Sequence, residues 1–156
     1  MFVRKGTVED VEVIWSLMQD AFSEYTNDVL PSSALQETLQ TIKAAMEKGE
    51  QSLILLDDEE PIGMVRYTMH DDYYYFFRLS VKRSHQSKGC AKKLLIALEE
   101  EAVRHNISFI QCKVRANVQR NMDLYKNVGY KQCSEEIMER ENIQLTIALF
   151  EKPLVI

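Results

Sequence analysis

The chain has 156 residues, of which 46% are hydrophobic and 28% charged, and its formal net charge is −5. That length suits one globular domain with a sizeable core, and the acidic balance argues against wholesale nucleic-acid binding. No apolar run approaches the roughly 20 residues of a membrane span. The opening M-F-V-R-K-G-T lacks the apolar region of a signal peptide. Cys90, Cys112 and Cys133 are odd in number and have no C-x-x-C spacing, so they are expected as free thiols of a cytoplasmic protein.

Phe2 to Lys5 reads as a short edge strand, and Thr7-x-x-Asp10 resembles a capping box with Asp in place of Glu. Val11, Ile14, Trp15, Met18 and Phe22 follow at helical spacing and predict an amphipathic helix. After a connecting loop over Tyr25–Pro31, Pro31 with Ser32 and Ser33 is expected to start a second helix, with Leu35, Leu39, Ile42 and Met46 on one face and Gly49 beyond its end. Ser52–Leu56 and Pro61–His70 predict an antiparallel hairpin about the polar turn Asp57–Glu60. Past a turn at Asp71 and Asp72, the aromatic run Tyr73–Val81 predicts a central strand covered on both sides. A helix is expected from about Gly89 to Arg104, with Glu99, Glu100 and Glu101 toward solvent, then a strand over Ser108–Val114. A short helix over Asn117–Asn127 stops at Gly129, and two closing strands, Tyr130–Met138 and Ile143–Phe150, turn near Glu141 and Asn142. The order β-α-α-β-β-β-α-β-α-β-β, with one strand–helix–strand crossover, predicts a single α/β domain over 1–156 with a mixed, mostly antiparallel central sheet flanked by helices.

Charge is concentrated in one place. From Tyr73 to Leu98 there are six basic residues (Arg78, Lys82, Arg83, Lys88, Lys92, Lys93) and no acidic one, so the remainder carries 13 basic against 24 acidic residues. A strand that breaks into a basic loop with Gly89 and then opens a helix suits an anionic ligand, because the first-turn N–H groups and the helix dipole both favour negative charge. The thiol of Cys90, at that helix start, is read as a small packing group. His70, His85 and His105 have no metal-like spacing, and no metal site is expected.

The segment Val81-x-x-x-x-Gln86-Ser-Lys-Gly89-Cys-Ala91 resembles the Gln/Arg-x-x-Gly-x-Gly/Ala signature of the GCN5-related N-acetyltransferase (GNAT) superfamily. Leu124-Tyr125-Lys-Asn-Val-Gly129-Tyr130 resembles that superfamily's L-Y-x-x-x-G-F/Y element, and the order of elements agrees along essentially the whole chain. The resemblance implies a GNAT-like fold and acetyl-CoA as cosubstrate. Backbone N–H groups from Ser87, Lys88, Gly89, Cys90, Ala91 and Lys92 would cradle its pyrophosphate, with Gln86 also on the coenzyme site and Arg83, Lys88 and Lys92 as partners for phosphate charge. Leu79, Ser80 and Val81 would bond the pantetheine arm, in a slot opening after Val81. Asn117 and Asn121 both compete for the place of the family's Asn.

The implied chemistry is acyl transfer from a thioester to a primary amine of a small molecule or peptide. An ammonium of pKa ~10.4 must lose a proton, and a departing thiolate of pKa ~8.5 benefits from a donor. Tyr125 matches the family's general acid, and backbone N–H groups on the central strand would polarise the carbonyl. Where the family often keeps a basic carboxylate this chain has Phe77, Arg78 and Lys113, which leaves a water chain or an acid such as Glu24 or Asp28. Glu24, Asp28, Glu135, Glu136, Glu139 and Glu141 fall on segments that would face the acceptor, and their charge suits a cationic one. Neither nucleic acid nor a membrane is expected as a partner; the closing strands are where two copies could pair as a homodimer. The alternative to an enzyme is a CoA-binding regulatory module with weak or no transferase activity.

Overall fold

The computed structural model describes residues 1–23 and 32–155. Its elements follow the expected order: β1 (Phe2–Lys5), α1 (Val11–Phe22), α2 (Leu39–Glu47), β2 (Gln51–Asp57), β3 (Glu60–Met69), β4 (Tyr73–Val81), α3 (Cys90–Arg104), β5 (Phe109–Arg115), α4 (Gln119–Asn127), β6 (Lys131–Arg140) and β7 (Ile143–Pro153). The strands form a seven-stranded sheet in the order β1-β2-β3-β4-β5-β7-β6. Two compact units divide the chain, and each contains part of β4 and of α3.

The first unit comprises Met1–Met69 and Phe76–Leu98. Its apolar runs, Leu53–Leu56 and Ile62–Val65, are buried on both faces, which is why they do not alternate. β1 pairs antiparallel with β2, and β2 with β3. The β2–β3 turn uses Asp58 and Glu59 at φ 48° and 72°, the left-handed pair that a two-residue hairpin prefers. Asp10 accepts the Thr7 N–H at 2.8 Å and takes both ends of the Arg4 guanidinium at 2.9 Å, fixing the entry to α1. Val11, Ile14, Leu17 and Met18 of α1 and Ile42 of α2 join Ile54, Leu56 and Met64 in the core, while Trp15 and Phe22 pack at its edge.

The second helix does not start at Ser32. Ser32 caps a 3-10 turn, Ser33–Gln36, and α2 begins only after Thr38, which accepts the Thr41 N–H at 3.2 Å while Thr41 Oγ1 accepts the Thr38 N–H at 2.9 Å. The 25–31 loop, with Pro31, lies outside the described residues.

The second unit comprises His70–Tyr75 and the chain from Glu99 onward. Here the start of β4 pairs in parallel with β5, but only from Tyr73 to Tyr75 against Phe109–Gln111. The ladder therefore ends well before Val81, where the slot was expected to open. β4 also alternates instead of being covered evenly: Tyr74, Phe76 and Ser80 are buried, and Tyr73, Tyr75 and Phe77 are half-buried. β5 and β6 both pair antiparallel with β7, and the β6–β7 hairpin turns on Glu141 and Asn142 at φ 54° and 63°. Being the sheet edge, β6 is exposed along almost its whole length.

On α3, Glu101 is buried instead of facing solvent, and is paired with Arg104 at 2.6 Å. Helical spacing places it on the face of Leu94, Leu98 and Ala102, so its charge had to be matched locally. Glu99 is half-buried and ion-paired with Lys152 at 2.6 Å, leaving Glu100 as the exposed acid of the three. No helix among the described residues is long and apolar enough to cross a membrane.

Candidate active site

Strand β4 delivers the basic loop, and the loop is tied down before it reaches α3. The Lys82 N–H donates to the Ile62 carbonyl at 2.8 Å, and a 3-10 turn over Arg83–His85 follows. Lys82 pairs with Glu60 at 3.0 Å and His85 lies 3.7 Å from Asp57, both acids belonging to the β2–β3 hairpin. The Arg83 N–H donates to Asp20 of α1 at 2.8 Å, and the Gln86 side chain donates to the Val81 carbonyl at 3.4 Å.

Ser87 and Gly89 then adopt left-handed backbone, at φ 64° and 78°, on either side of the exposed Lys88. Such alternation turns successive N–H groups toward one side, and the first turn of α3 adds its own unpaired N–H groups from Cys90 and Ala91. A Cβ built on Gly89 meets no heavy atom within 4 Å, so glycine is needed there for its conformation and not for space. The Cys90 thiol is buried and donates to the His85 carbonyl at 3.5 Å; what it brings to an anion site is its backbone N–H. With Lys92 exposed one turn into the helix, the loop has the donors, charge and open space that a diphosphate requires.

A close backbone approach occurs at Gly63 of β3. A Cβ there would lie 3.1 Å from the Ser80 carbonyl and 3.2 Å from Leu94 Cδ1, so this glycine sets the packing of β3 against β4 and α3. Leu79 and Val81 are half-buried and Ser80 is buried, its hydroxyl donating to the Arg78 carbonyl at 2.9 Å.

Arg78 itself is left-handed, at φ 55°, in the middle of β4. Its Nε donates to Glu37 at 3.0 Å and its Nη2 to Ser33 at 2.9 Å. Glu37 also accepts Arg66 Nη1 at 2.9 Å. Arg66, only 2% exposed in the middle of β3, is gripped by Glu50 at 2.8 and 3.1 Å and sits 5.0 Å from the Phe77 ring centroid. Burial alone would push the pKa of Arg66 down, but the hydrogen bonds and charges of Glu50 and Glu37 outweigh it and hold it above its ordinary value. Sequence reasoning missed this cluster, although an arginine between Val65 and Tyr67 in an apolar strand signals a buried charge in need of partners.

In the second unit, Tyr125 of α4 is 7% exposed, its ring centroid 6.1 Å from Tyr130 and 6.0 Å from Phe150. Gly129 ends this helix at φ 99°, with its N–H donating to the Lys126 carbonyl and the Tyr130 N–H reaching back to the Tyr125 carbonyl at 2.9 Å. Lys152 donates to the Val128 carbonyl at 2.7 Å, and a Cβ on Gly129 would lie 3.0 Å from Lys152 Cε. Burial pushes the Tyr130 hydroxyl pKa upward, so Tyr130 stays protonated near neutral pH. Asn121 is half-buried one turn before Tyr125, whereas Asn117 is exposed in the turn before α4.

Lys113 is bound to Glu136 of β6 at 3.0 Å, and this pairing raises its pKa. Glu135, Glu136, Glu139 and Glu141 are all exposed on the hairpin; Glu24 and Asp28 lie outside the described residues. Among the described residues there is no group of three or more His, Cys, Asp or Glu that could hold a metal ion.

Comparisons with known proteins bear on these features together. The Acetyltransferase (GNAT) family matches residues 13–130. The uncharacterised N-acetyltransferase YjcF of Bacillus subtilis is 33% identical over 91 residues, 58% of this chain and 63% of that protein. The L-2,4-diaminobutyric acid acetyltransferase of Marinococcus halophilus is 22% identical over 134 residues, 84% of this chain and 72% of its own. The crystal structure of the ribosomal-protein-S18-alanine N-acetyltransferase from Escherichia coli superposes with a TM-score of 0.81 at 14% identity, covering 99% of this chain and 94% of that one, and so shares its fold. With the family matched across most of its length and the fold shared end to end, the chain belongs to the acetyltransferase (GNAT) family.

Proposed function

We propose that the protein, as one domain, transfers an acetyl group from acetyl-coenzyme A to a primary amine of a small molecule or peptide. The observation that carries this reading is the Ser87–Gly89 turn, left-handed on both sides of Lys88 and opening directly into α3. Backbone N–H groups from Ser87 to Lys92 bind the pyrophosphate, with Lys88 and Lys92 supplying charge, while the Gln86 N–H stays on the Arg83 carbonyl. Leu79, Ser80 and Val81 bond the pantetheine arm along the part of β4 beyond its ladder with β5. The N–H groups at the left-handed Arg78 step polarise the thioester carbonyl as the amine adds. Tyr125 gives its hydroxyl proton to the departing sulfur, and half-burial one turn before Tyr125 favours Asn121 over the exposed Asn117 as the family's Asn.

No carboxylate replaces Phe77 or Arg78 as base on β4, because Arg78 is itself committed to Glu37 and Ser33. The amine proton then leaves through a water chain or to an acid from another element, such as Glu24 or Asp28. The exposed glutamates of the β6–β7 hairpin favour a cationic acceptor, an idea supported by a relative named for L-2,4-diaminobutyric acid. The three free cysteines fit work in the cytoplasm, and a homodimer would pair through the β6 edge. The test is calorimetric titration with acetyl-CoA followed by thiol release across a panel of amines. Saturable binding with amine-dependent release is expected; absence of binding refutes the reading.

A further inference from the structure

We propose that Glu37 and Ser33 are positioning residues for this acyl transfer. They hold the Arg78 side chain, and through it the left-handed backbone step of β4 from which the thioester carbonyl is polarised. The inference rests on the acyl-transfer reading above.

An L-residue other than glycine rarely keeps φ near 55° in a strand unless its surroundings over-determine it. Here they do. The Ser80 hydroxyl fixes the Arg78 carbonyl at 2.9 Å, while Glu37 and Ser33 fix the guanidinium at 3.0 and 2.9 Å. Glu37 is in turn held by Arg66, and Arg66 by Glu50 and the Phe77 ring. A chain of contacts thus runs from Glu50, just before β2, through Arg66 of β3 to one backbone step, and it commits two buried or half-buried acids to two arginines. Three guanidinium contacts occupy the oxygens of Glu37, which suits a brace better than a base. A left-handed residue also turns its own N–H and the next one out of regular alternation, as polarising one acyl oxygen requires. Without the brace, Arg78 relaxes toward extended backbone and those donors swing away.

Steady-state kinetics on the full chain, with acetyl-CoA and an amine that the wild type accepts, tests this. Ser33→Ala, which leaves Arg66 and Glu37 together, is expected to lower kcat by about 3-fold, and Glu37→Gln by about 10-fold, with KM for acetyl-CoA within about twofold. Because glycine adopts this backbone unaided, Arg78→Gly should keep several-fold more kcat than Arg78→Ala. Adding Glu37→Gln to Arg78→Gly should then change kcat by less than about twofold. Equal losses from Glu37→Gln in both backgrounds, or Arg78→Ala matching Arg78→Gly, overturn the positioning role. The Ser33→Ala variant and the Arg78 pair decide the matter even if Glu37→Gln fails to fold. A wild type that transfers to no amine overturns the acyl-transfer reading and this inference with it, whereas an active wild type with unchanged variants overturns the inference alone.

Discussion

Replacing Gly89 by alanine isolates the conformational demand of the donor loop. Gly89 sits at φ 78° and an added Cβ meets nothing within 4 Å, so the substitution brings strain without a clash. Left-handed backbone costs an L-residue about 1–2 kcal/mol. If the loop must be left-handed to bind a diphosphate, that cost appears in affinity, and Kd for acetyl-CoA should rise by about 5- to 30-fold. Gly89→Asn should lose less, since asparagine tolerates this region better. Gly49, at φ 114° beyond α2 and likewise with nothing within 4 Å, is the control. Gly49→Ala should lower Tm by a similar few degrees, about 2–4 °C per kcal/mol at this size, and leave Kd alone. Isothermal titration at fixed ionic strength with parallel thermal melts makes the comparison. A Gly89→Ala protein that neither melts lower nor binds acetyl-CoA more weakly than the wild type would refute the loop's conformational demand.

Other consequences follow from packing and charge. Arg66→Met strands Glu50 and Glu37 and should cost about 3–5 kcal/mol in chemical denaturation; Arg66→Met with Glu50→Gln should cost less, and equal losses would show that the buried pair is not what matters. Gly63→Ala forces Ser80 and Leu94 back by a few tenths of an ångström, with an expected loss of about 1 kcal/mol and weaker acetyl-CoA binding; unchanged melting and binding would contradict the close approach. The hydrogen bonds of Arg4, helped by Thr7, hold the Asp10 carboxyl below its ordinary pKa despite partial burial. Its stabilisation is therefore complete above the unfolded value of about 3.9 and lost as pH falls through the lower folded value. Asp10→Asn should lower Tm near neutral pH, and the gap to wild type should close as pH falls through the lowered folded value; a gap independent of pH would rule the ion pair out as its source.

What the sequence made legible was local. Apolar periodicity and turn residues placed every strand and helix in order, and Asp58–Glu59 and Glu141–Asn142 turn the chain where polar clusters had marked it. Failures came where two residues of similar local chemistry compete or where partners lie far apart. Ser32 and Thr38 are both capping types, and only tertiary packing makes one a 3-10 cap and the other the start of α2. Phe77-Arg78-Leu79 contains no glycine or asparagine to betray a left-handed step, because the step is held by side chains 41 and 45 positions away. Glu101 was legible, since helical spacing puts it under Leu94 and Leu98, but a run of three glutamates masked the register. The residues of the proposed donor loop are contiguous in the chain, whereas the candidate acids of the acceptor side come from separate segments.

Comparing wild type with Tyr125→Phe in a thiol-release assay, with acetyl-CoA binding measured in parallel, tests acyl transfer most directly. The wild type should release thiol only when an accepted amine is present. Tyr125→Phe should bind acetyl-CoA within a few-fold of wild type yet lose about 100-fold in kcat, the low end of what a general acid contributes. A Tyr125→Phe protein that turns over at the wild-type rate, or a wild type that binds acetyl-CoA and transfers to no amine, would contradict it.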